Sequence, residues 1–380
     1  MVLKFYSRIL IGTFVSVLSL TSAAQTDGVY RDKIVLRHIG PLANAVLAAS
    51  NVESLNAADL YLKKVNDAGG VNGRKIVLER IDDSQDPKKT TTLATETLAQ
   101  RGALAILLPR SSPSTEALMP LVQTARVPLI GPQPGTGSIT DPMKPEVFAI
   151  RASFGAEVTR AIELQHTLGR TRFAFLVATD AFGNEIIKGL DVPMKKIGLV
   201  PVGVERVDNR SPDVKDAVSK LGTLQPDAIF LICAAKAASD FVKAYAAAGK
   251  VSQFVAISNS SNSGFLKDLG DKKQGVIVMQ VTPSPFSPKV AIAREYRAAS
   301  EAAKLPVTYQ GFQAYLTAKL TVEGIKRAGK TPTSASLIAA LEGMRNFDLG
   351  GFVVSYGPRE RMGSKFVEAT MISKDGRFIY

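Results

Sequence analysis

The stretch Ile34-Val35-Leu36-Arg37-His38-Ile39-Gly40-Pro41, continuing through Ser50-Asn51-Val52-Glu53 to Gly69-Gly70-Val71-Asn72-Gly73-Arg74-Lys75-Ile76-Val77-Leu78-Glu79-Arg80-Ile81, spells one strand–helix–strand cycle. Ile34–Ile39 is a short β-type run that stops at Gly40-Pro41. Ser50 and Glu53 have capping-box spacing, which predicts that a helix opens there. Leu55, Ala58, Leu62 and Val65 recur at intervals of three and four and form one face of that helix. Gly69-Gly70 ends it, because glycine accepts the left-handed backbone found after a helix. Asn72-Gly73 then turns the chain into a second strand, Lys75–Ile81.

The same cycle repeats outward from this unit. Helices are expected over 90–100, 115–126, 157–168, 184–197, 212–221 and 237–248, and strands over 103–108, 127–130, 172–178, 200–207, 228–233, 254–258 and 276–281. Alternation of this kind, with continuously apolar strands, implies parallel sheets covered by helices on both faces. About a dozen strands is too many for one comfortable open sheet. The fold class expected is therefore α/β, with two doubly wound lobes and a break near Arg151-Ala152. Residues 281–347 read as helices (289–303, 310–328 and 334–343) that return to the first lobe.

Composition narrows the function. The 380 residues hold 47 Lys+Arg against 34 Asp+Glu, a net +13, with 46% apolar and 21% charged residues, so an ordinary globular chain is expected. One cysteine excludes an internal disulfide and multi-cysteine metal sites. That cysteine, Cys233, ends an apolar strand and reads as a buried, inert thiol. Lys4 and Arg8, the apolar run Ile9–Leu20 and the small residues Ser22 and Ala24 make a secretory signal peptide over residues 1–24, with cleavage after Ala24. The run is too short to span a bilayer, which needs about 20 residues. A soluble, exported protein is expected. The positive charge is spread over many helices instead of gathered into an arm with aromatics, so nucleic acid is a poor partner.

In open α/β sheets ligands sit beyond the carboxyl ends of the strands. Two loops there have fitting composition: Pro109-Arg110-Ser111-Ser112-Pro113-Ser114-Thr115 and Gly131-Pro132-Gln133-Pro134-Gly135-Thr136-Gly137-Ser138. Their small hydroxyls and backbone N–H groups suit a carboxylate; equally, Ser114 or Thr115 could serve only as a helix cap and the glycines only as turns. No G-x-G-x-x-G, Walker loop or G-x-S-x-G elbow is present, so no enzyme is expected, and no cofactor. Asp82-Asp83-Ser84-Gln85-Asp86 lacks EF-hand spacing and reads as a polar turn before Pro87. His38 and His166 have no partner motif and read as structural or exposed. No metal site is expected.

Ala68-Gly69-Gly70-Val71-Asn72-Gly73-Arg74-Lys75-Ile76, followed by Asp82-Asp83-Ser84-Gln85-Asp86-Pro87, resembles the periplasmic solute-binding proteins of ABC transporters, in their leucine/isoleucine/valine-binding, type I branch. Gly40-Pro41-Leu42, Val127-Pro128-Leu129-Ile130-Gly131-Pro132, Asp180-Ala181-Phe182-Gly183 and Ala246-Ala247-Ala248-Gly249 extend the resemblance along the chain. It implies two lobes, residues 25–151 plus 280–366 and residues 152–279 plus 367–380, joined by three hinge segments around a ligand cleft. It also implies a periplasmic monomer that binds a small carboxylate solute and delivers it to an ABC permease and ATPase complex. A sensor subunit reporting to a receptor is the alternative role.

Carried over by position, Ser111 and Ser112 match the serine loop that receives the ligand carboxylate, and Gln133, Gly135 and Thr136 match the facing loop. Phe182 stands for the aromatic that covers the ligand, and Tyr309 and Gln310 lie near the family's other cleft aromatic. Two departures bear on the ligand. Ser258 stands where amino-acid binders carry the carboxylate for the α-ammonium, and Ala234 where many carry a tyrosine. A buried ammonium without a carboxylate would cost several kcal/mol. The expected solute is therefore a carboxylate without an ammonium, such as an aromatic or keto acid. A Leu/Ile/Val-type amino acid is the alternative, with Asp180 or Glu185 taking the amine.

Overall fold

The computed structural model describes residues 27–380. The expected signal peptide and its cleavage point lie outside the described residues. Among the described residues no helix is long and apolar enough to cross a membrane.

Two sheets organise the chain. The first contains β1 (Lys33–Gly40), β2 (Lys75–Asp82), β3 (Ala105–Leu107), β4 (Leu129–Ile130) and β5 (Val147–Phe148), in the order β2-β1-β3-β4-β5, all parallel. The second contains β6 (Phe173–Ala178), β7 (Gly203–Val207), β8 (Ala228–Ile232), β9 (Gln253–Ala256) and β10 (Ile277–Gln280), also parallel. After a small hairpin, β11 (Phe347–Asp348) and β12 (Val353–Val354), the antiparallel strands β13 (Glu368–Ile372) and β14 (Phe378–Ile379) complete the second sheet as β14-β13-β10-β9-β8-β6-β7. The backbone thus leaves the first sheet after β5 and joins the second at β6. It departs again after β10 and re-enters the second sheet at β13.

Helices cover both faces of the first sheet. On one side α1 (Ala48–Asp67) packs its Leu55, Ala58 and Leu62 against the sheet. The chain's return from β10 adds α10 (Ala291–Ala302), α11 (Tyr309–Arg327) and α12 (Ser334–Glu342) to the same core. On the other side lie α2 (Pro87–Ala99) and α3 (Ser112–Ala125). The second sheet is wrapped by α4 (Phe154–Thr167), α5 (Ala181–Gly189), α6 (Asp191–Lys196), α7 (Lys215–Thr223), α8 (Ala235–Ala247) and α9 (Ser263–Leu269). Its strands β6 and β8 are buried at every position, as parallel strands between two helix layers must be. Cys233 is buried at the end of β8, and burial pushes its thiol up, which keeps it inert.

Several expectations are corrected. Helix α1 starts at Ala48, and Ser50 and Glu53 form no capping box. Ser50 Oγ donates back to the Leu47 carbonyl, while Glu53 accepts from Thr308 Oγ1 at 2.7 Å and from Ser263. The single helix expected over 184–197 is two helices, because Pro193 lacks the N–H that would bond the Gly189 carbonyl. The strand expected to reach Ser258 ends at Ala256, where Ser258–Ser260 turns into a short 3-10 helix. Asp82, Asp83 and Asp86 do form a polar turn: Asp86 caps α2 through Lys88 N at 3.0 Å, and Asp83 accepts from Thr90 Oγ1 at 2.7 Å.

Candidate ligand-binding cleft

In the first sheet β1 lies between β2 and β3, and in the second β6 lies between β7 and β8. At such points the crossover connections leave in opposite directions and open a crevice at the carboxyl ends of the strands. A cavity of about 420 Å³ occupies that place between the two sheets. Its walls come from loops that follow strands: Leu47 after β1, Gln85 and Pro87 after β2, Arg110 to Pro113 after β3 and Pro134 after β4. From the other sheet come Asp180 to Phe182, Asp208 to Arg210, Ala234 and Asn259, after β6, β7, β8 and β9.

Of the ten residues expected to bind the ligand, four line this cavity: Ser111, Ser112, Phe182 and Ala234; Asp180, the alternative partner for an amine, lines it too. Ser111 caps α3, accepting from Ser114 N at 3.1 Å. Ser112 is the first residue of α3; it is buried, and its hydroxyl makes no hydrogen bond to another described residue. Phe182 sits in the first turn of α5 and meets Phe154 with ring centroids 4.6 Å apart, giving the cavity an aromatic wall. Gly183 beside it must lack a side chain, since a Cβ would lie 1.9 Å from the Ala178 carbonyl oxygen. Asp180 caps the same helix and accepts from Asn209 Nδ2 at 2.9 Å.

The other six lie behind or beside the wall. Gln133 is buried in a polar network, donating to Asn51 Oδ1 at 3.1 Å and accepting from Ser54 Oγ at 3.0 Å. The Gly135 carbonyl accepts from Phe154 N at 2.7 Å and so positions the aromatic wall. Thr136 donates to Glu185 Oε2 of the opposite lobe at 2.5 Å, and Gly137 N donates to Glu185 Oε1 at 2.7 Å. Ser258 donates to Glu157 twice, from its N–H at 2.8 Å and its hydroxyl at 3.0 Å. Tyr309 turns toward the carboxyl-terminal strands, its hydroxyl 3.0 Å from that of Tyr380 and its ring edge-on to Phe378. Gln310 is buried with its amide against both Gln133 and Arg110.

Two buried clusters support the cleft. In the first, His38 donates from Nδ1 to the Leu107 carbonyl at 3.0 Å and accepts at Nε2 from Asn51 Nδ2 at 2.9 Å, the tautomer that satisfies both. Burial holds this imidazole neutral, lowering its pKa from 6.5 to about 4. In the second, Arg151 donates to Glu157, to the Gln133 carbonyl at 2.8 Å and to the Ala152 carbonyl at 2.9 Å, with its guanidinium over the Phe154 ring.

Arg110 is one of the lining residues that sequence reasoning passed over, with Phe154, Asn209 and Arg210 among the others. It is only 5% exposed, although an arginine in a polar loop reads as a solvated charge. Its position beside Ser111, directly after a strand, was the available signal. Of the acids on the wall, Glu116 accepts from Ser138 and Thr136, and burial pushes its carboxyl above the usual range. Among the described residues no cluster of acids, histidines and cysteines could hold a metal ion.

Residues 39–377 match the family described as periplasmic binding protein. A Leu/Ile/Val-binding protein homologue from Brucella melitensis is 22% identical over 330 residues, 86% of either chain. A substrate-binding periplasmic protein from Ralstonia solanacearum superposes with a TM-score of 0.86 at 30% identity, covering 91% of this chain and 99% of that one. A solute-binding protein of an ABC transporter from R. palustris, solved with benzoate, superposes with a TM-score of 0.81 at 17% identity, covering 91% and 95%. This last likeness speaks to the fold alone.

Proposed function

The chain belongs to the periplasmic binding protein family, whose members are substrate-binding receptors and not enzymes, and on that premise we propose that it is the solute-capturing component of an ABC transporter of the branched-chain amino acid type. It works in the periplasm as a monomer. It takes a small carboxylate-bearing solute into the cleft, closes its lobes by a hinge over the three crossing segments, and hands the solute to the permease. Ser111, Ser112 and the amino end of α3 receive the carboxylate. Phe154 and Phe182 cover an apolar body, which suits the mixed lining of a small-molecule site.

The solute is an acid without an ammonium group. The observation that supports this is the state of Ser258. Its two donors are given to Glu157, and Glu157 is in turn ion-paired with Arg151. That corner therefore offers no free negative charge to an α-ammonium. Both solute classes occur among relatives, in the Leu/Ile/Val-binding homologue and in the benzoate complex. A second reading rests on Asp180, which lines the cavity and accepts only from neutral donors; a ligand amine placed there makes the solute an amino acid.

A thermal-shift panel on the purified protein separates them. Benzoate and 4-methyl-2-oxopentanoate are expected to raise the melting temperature. A strong shift with leucine or valine, and none with the amine-free acids, refutes the reading.

A further inference from the structure

Arg110 is a buried cation that the protein itself leaves without an anion. Its guanidinium donates to Ser50 Oγ at 3.1 Å. With the Gln310 carbonyl oxygen turned toward it, Nη2 and Nη1 reach that oxygen at 2.7 and 3.1 Å. Both partners are neutral, and among the described residues no carboxylate lies within 4.0 Å of it. The other large buried arginines differ: Arg151 has Glu157 and Arg361 has Glu342.

The surrounding charges do not replace a partner. Glu53 favours the cation from a distance, but both its carboxylate oxygens are engaged by Thr308 and Ser263. Arg151 opposes it, and burial pushes the guanidinium down to about 10. A buried charge with only neutral partners costs several kcal/mol, and a fold retains such a cost where something outside the chain supplies the counter-ion. Arg110 lines the cavity directly beside Ser111 and Ser112.

We propose that Arg110 is the fixed counter-ion of the solute, holding a ligand carboxylate between its guanidinium and the Ser112 hydroxyl. A guanidinium matches a carboxylate with two parallel N–H donors, so the anion is held in orientation as well as in place. The His38–Asn51–Gln133 network, the Ser50 hydroxyl and the Gln310 amide fix the loop and side chain before the solute arrives. The inference deepens the proposed function and rests on its premise that the solute bears a carboxylate.

Arg110→Met tests it in two ways. In the purified protein freed of ligand by dialysis, the variant is expected to melt at or above the wild-type temperature, because an uncompensated buried charge has been replaced by an apolar chain. A fall of several degrees would make Arg110 a structural residue and overturn the inference, whatever the solute is. Binding is then read with benzoate and 4-methyl-2-oxopentanoate, each against its uncharged amide. An acid that binds the wild type is expected to bind Arg110→Met at least about 30-fold more weakly, with Arg110→Lys in between. Equal binding of an acid to wild type and Arg110→Met overturns the role of Arg110 and leaves capture of a carboxylate standing. Binding of the amides but not the acids overturns both.

Discussion

Replacing Glu157 with glutamine is the most demanding test of how the lobes are joined. The Arg151 and Glu157 side chains are 2% and 0% exposed, so solvent cannot screen what is left when one charge is removed. Glutamine keeps the volume and one acceptor for Ser258, but it leaves the Arg151 guanidinium with only the carbonyls of Gln133 and Ala152. Breaking a buried pair in this way costs about 3–5 kcal/mol. Urea unfolding of the wild type and of Glu157→Gln measures the difference. The double variant Arg151→Met/Glu157→Leu is expected to recover at least about 2 kcal/mol of the loss, because it removes both charges together. A loss below about 1 kcal/mol in Glu157→Gln, or a double variant no better than the single, would refute the reasoning.

Three further outcomes follow from the same geometry. Glu185→Ala removes two bonds across the cleft and is expected to weaken solute binding about tenfold by calorimetry, with the unfolding free energy changed by less than about 1 kcal/mol; unchanged affinity would mean that these bonds do not favour the closed form. Ser112→Ala is expected to cost about 1–3 kcal/mol of affinity by leaving a ligand oxygen unpaired, and an unaltered dissociation constant would take Ser112 out of the site. His38 stays neutral in the fold down to about pH 4, whereas in the unfolded chain it takes a proton near 6.5. The unfolded state therefore binds more protons between these values, and stability present above 6.5 is lost as pH falls toward 4, by up to about 3 kcal/mol. His38→Gln should flatten that part of the stability curve; a slope identical to that of the wild type would show that His38 is not its source.

The two-lobed architecture was readable because local signals agree with it. Apolar strands such as Phe173–Ala178 and Ala228–Ile232 are buried along their whole length, and the serine-bearing loop that follows β3 supplies part of the cleft wall. Failures came where a residue's partner is distant in sequence. Ser50 and Glu53 have the spacing of a local cap, yet Glu53 is held by Ser263 and Thr308, more than two hundred residues away. Ser258 read only as a position without a carboxylate, and Glu157, one helical turn into α4, carried no sign that it would accept from Ser258. Arg110 was passed over for the same reason: charge in a loop signals solvent unless the burial is known. The strands β13 and β14 are short and partly exposed, and antiparallel pairing, of β13 with β10 and of β14 with β13, creates them, not a strong pattern of their own.

That last pairing has a consequence for the order in which the molecule can be assembled. Strands β13 and β14 extend the second sheet beyond β10, but the chain reaches them only after α10, α11 and α12 have gone back to the first. A chain delivered from its amino end thus finishes neither half until nearly all of it has emerged. The first half waits for α11 and α12, and β10 keeps an unpaired edge until residues 368–372 arrive. Such an exposed edge is a template for mispairing with another chain. Loss of the last 13 residues would leave β10 open permanently, so these few residues decide whether the second sheet closes or aggregates.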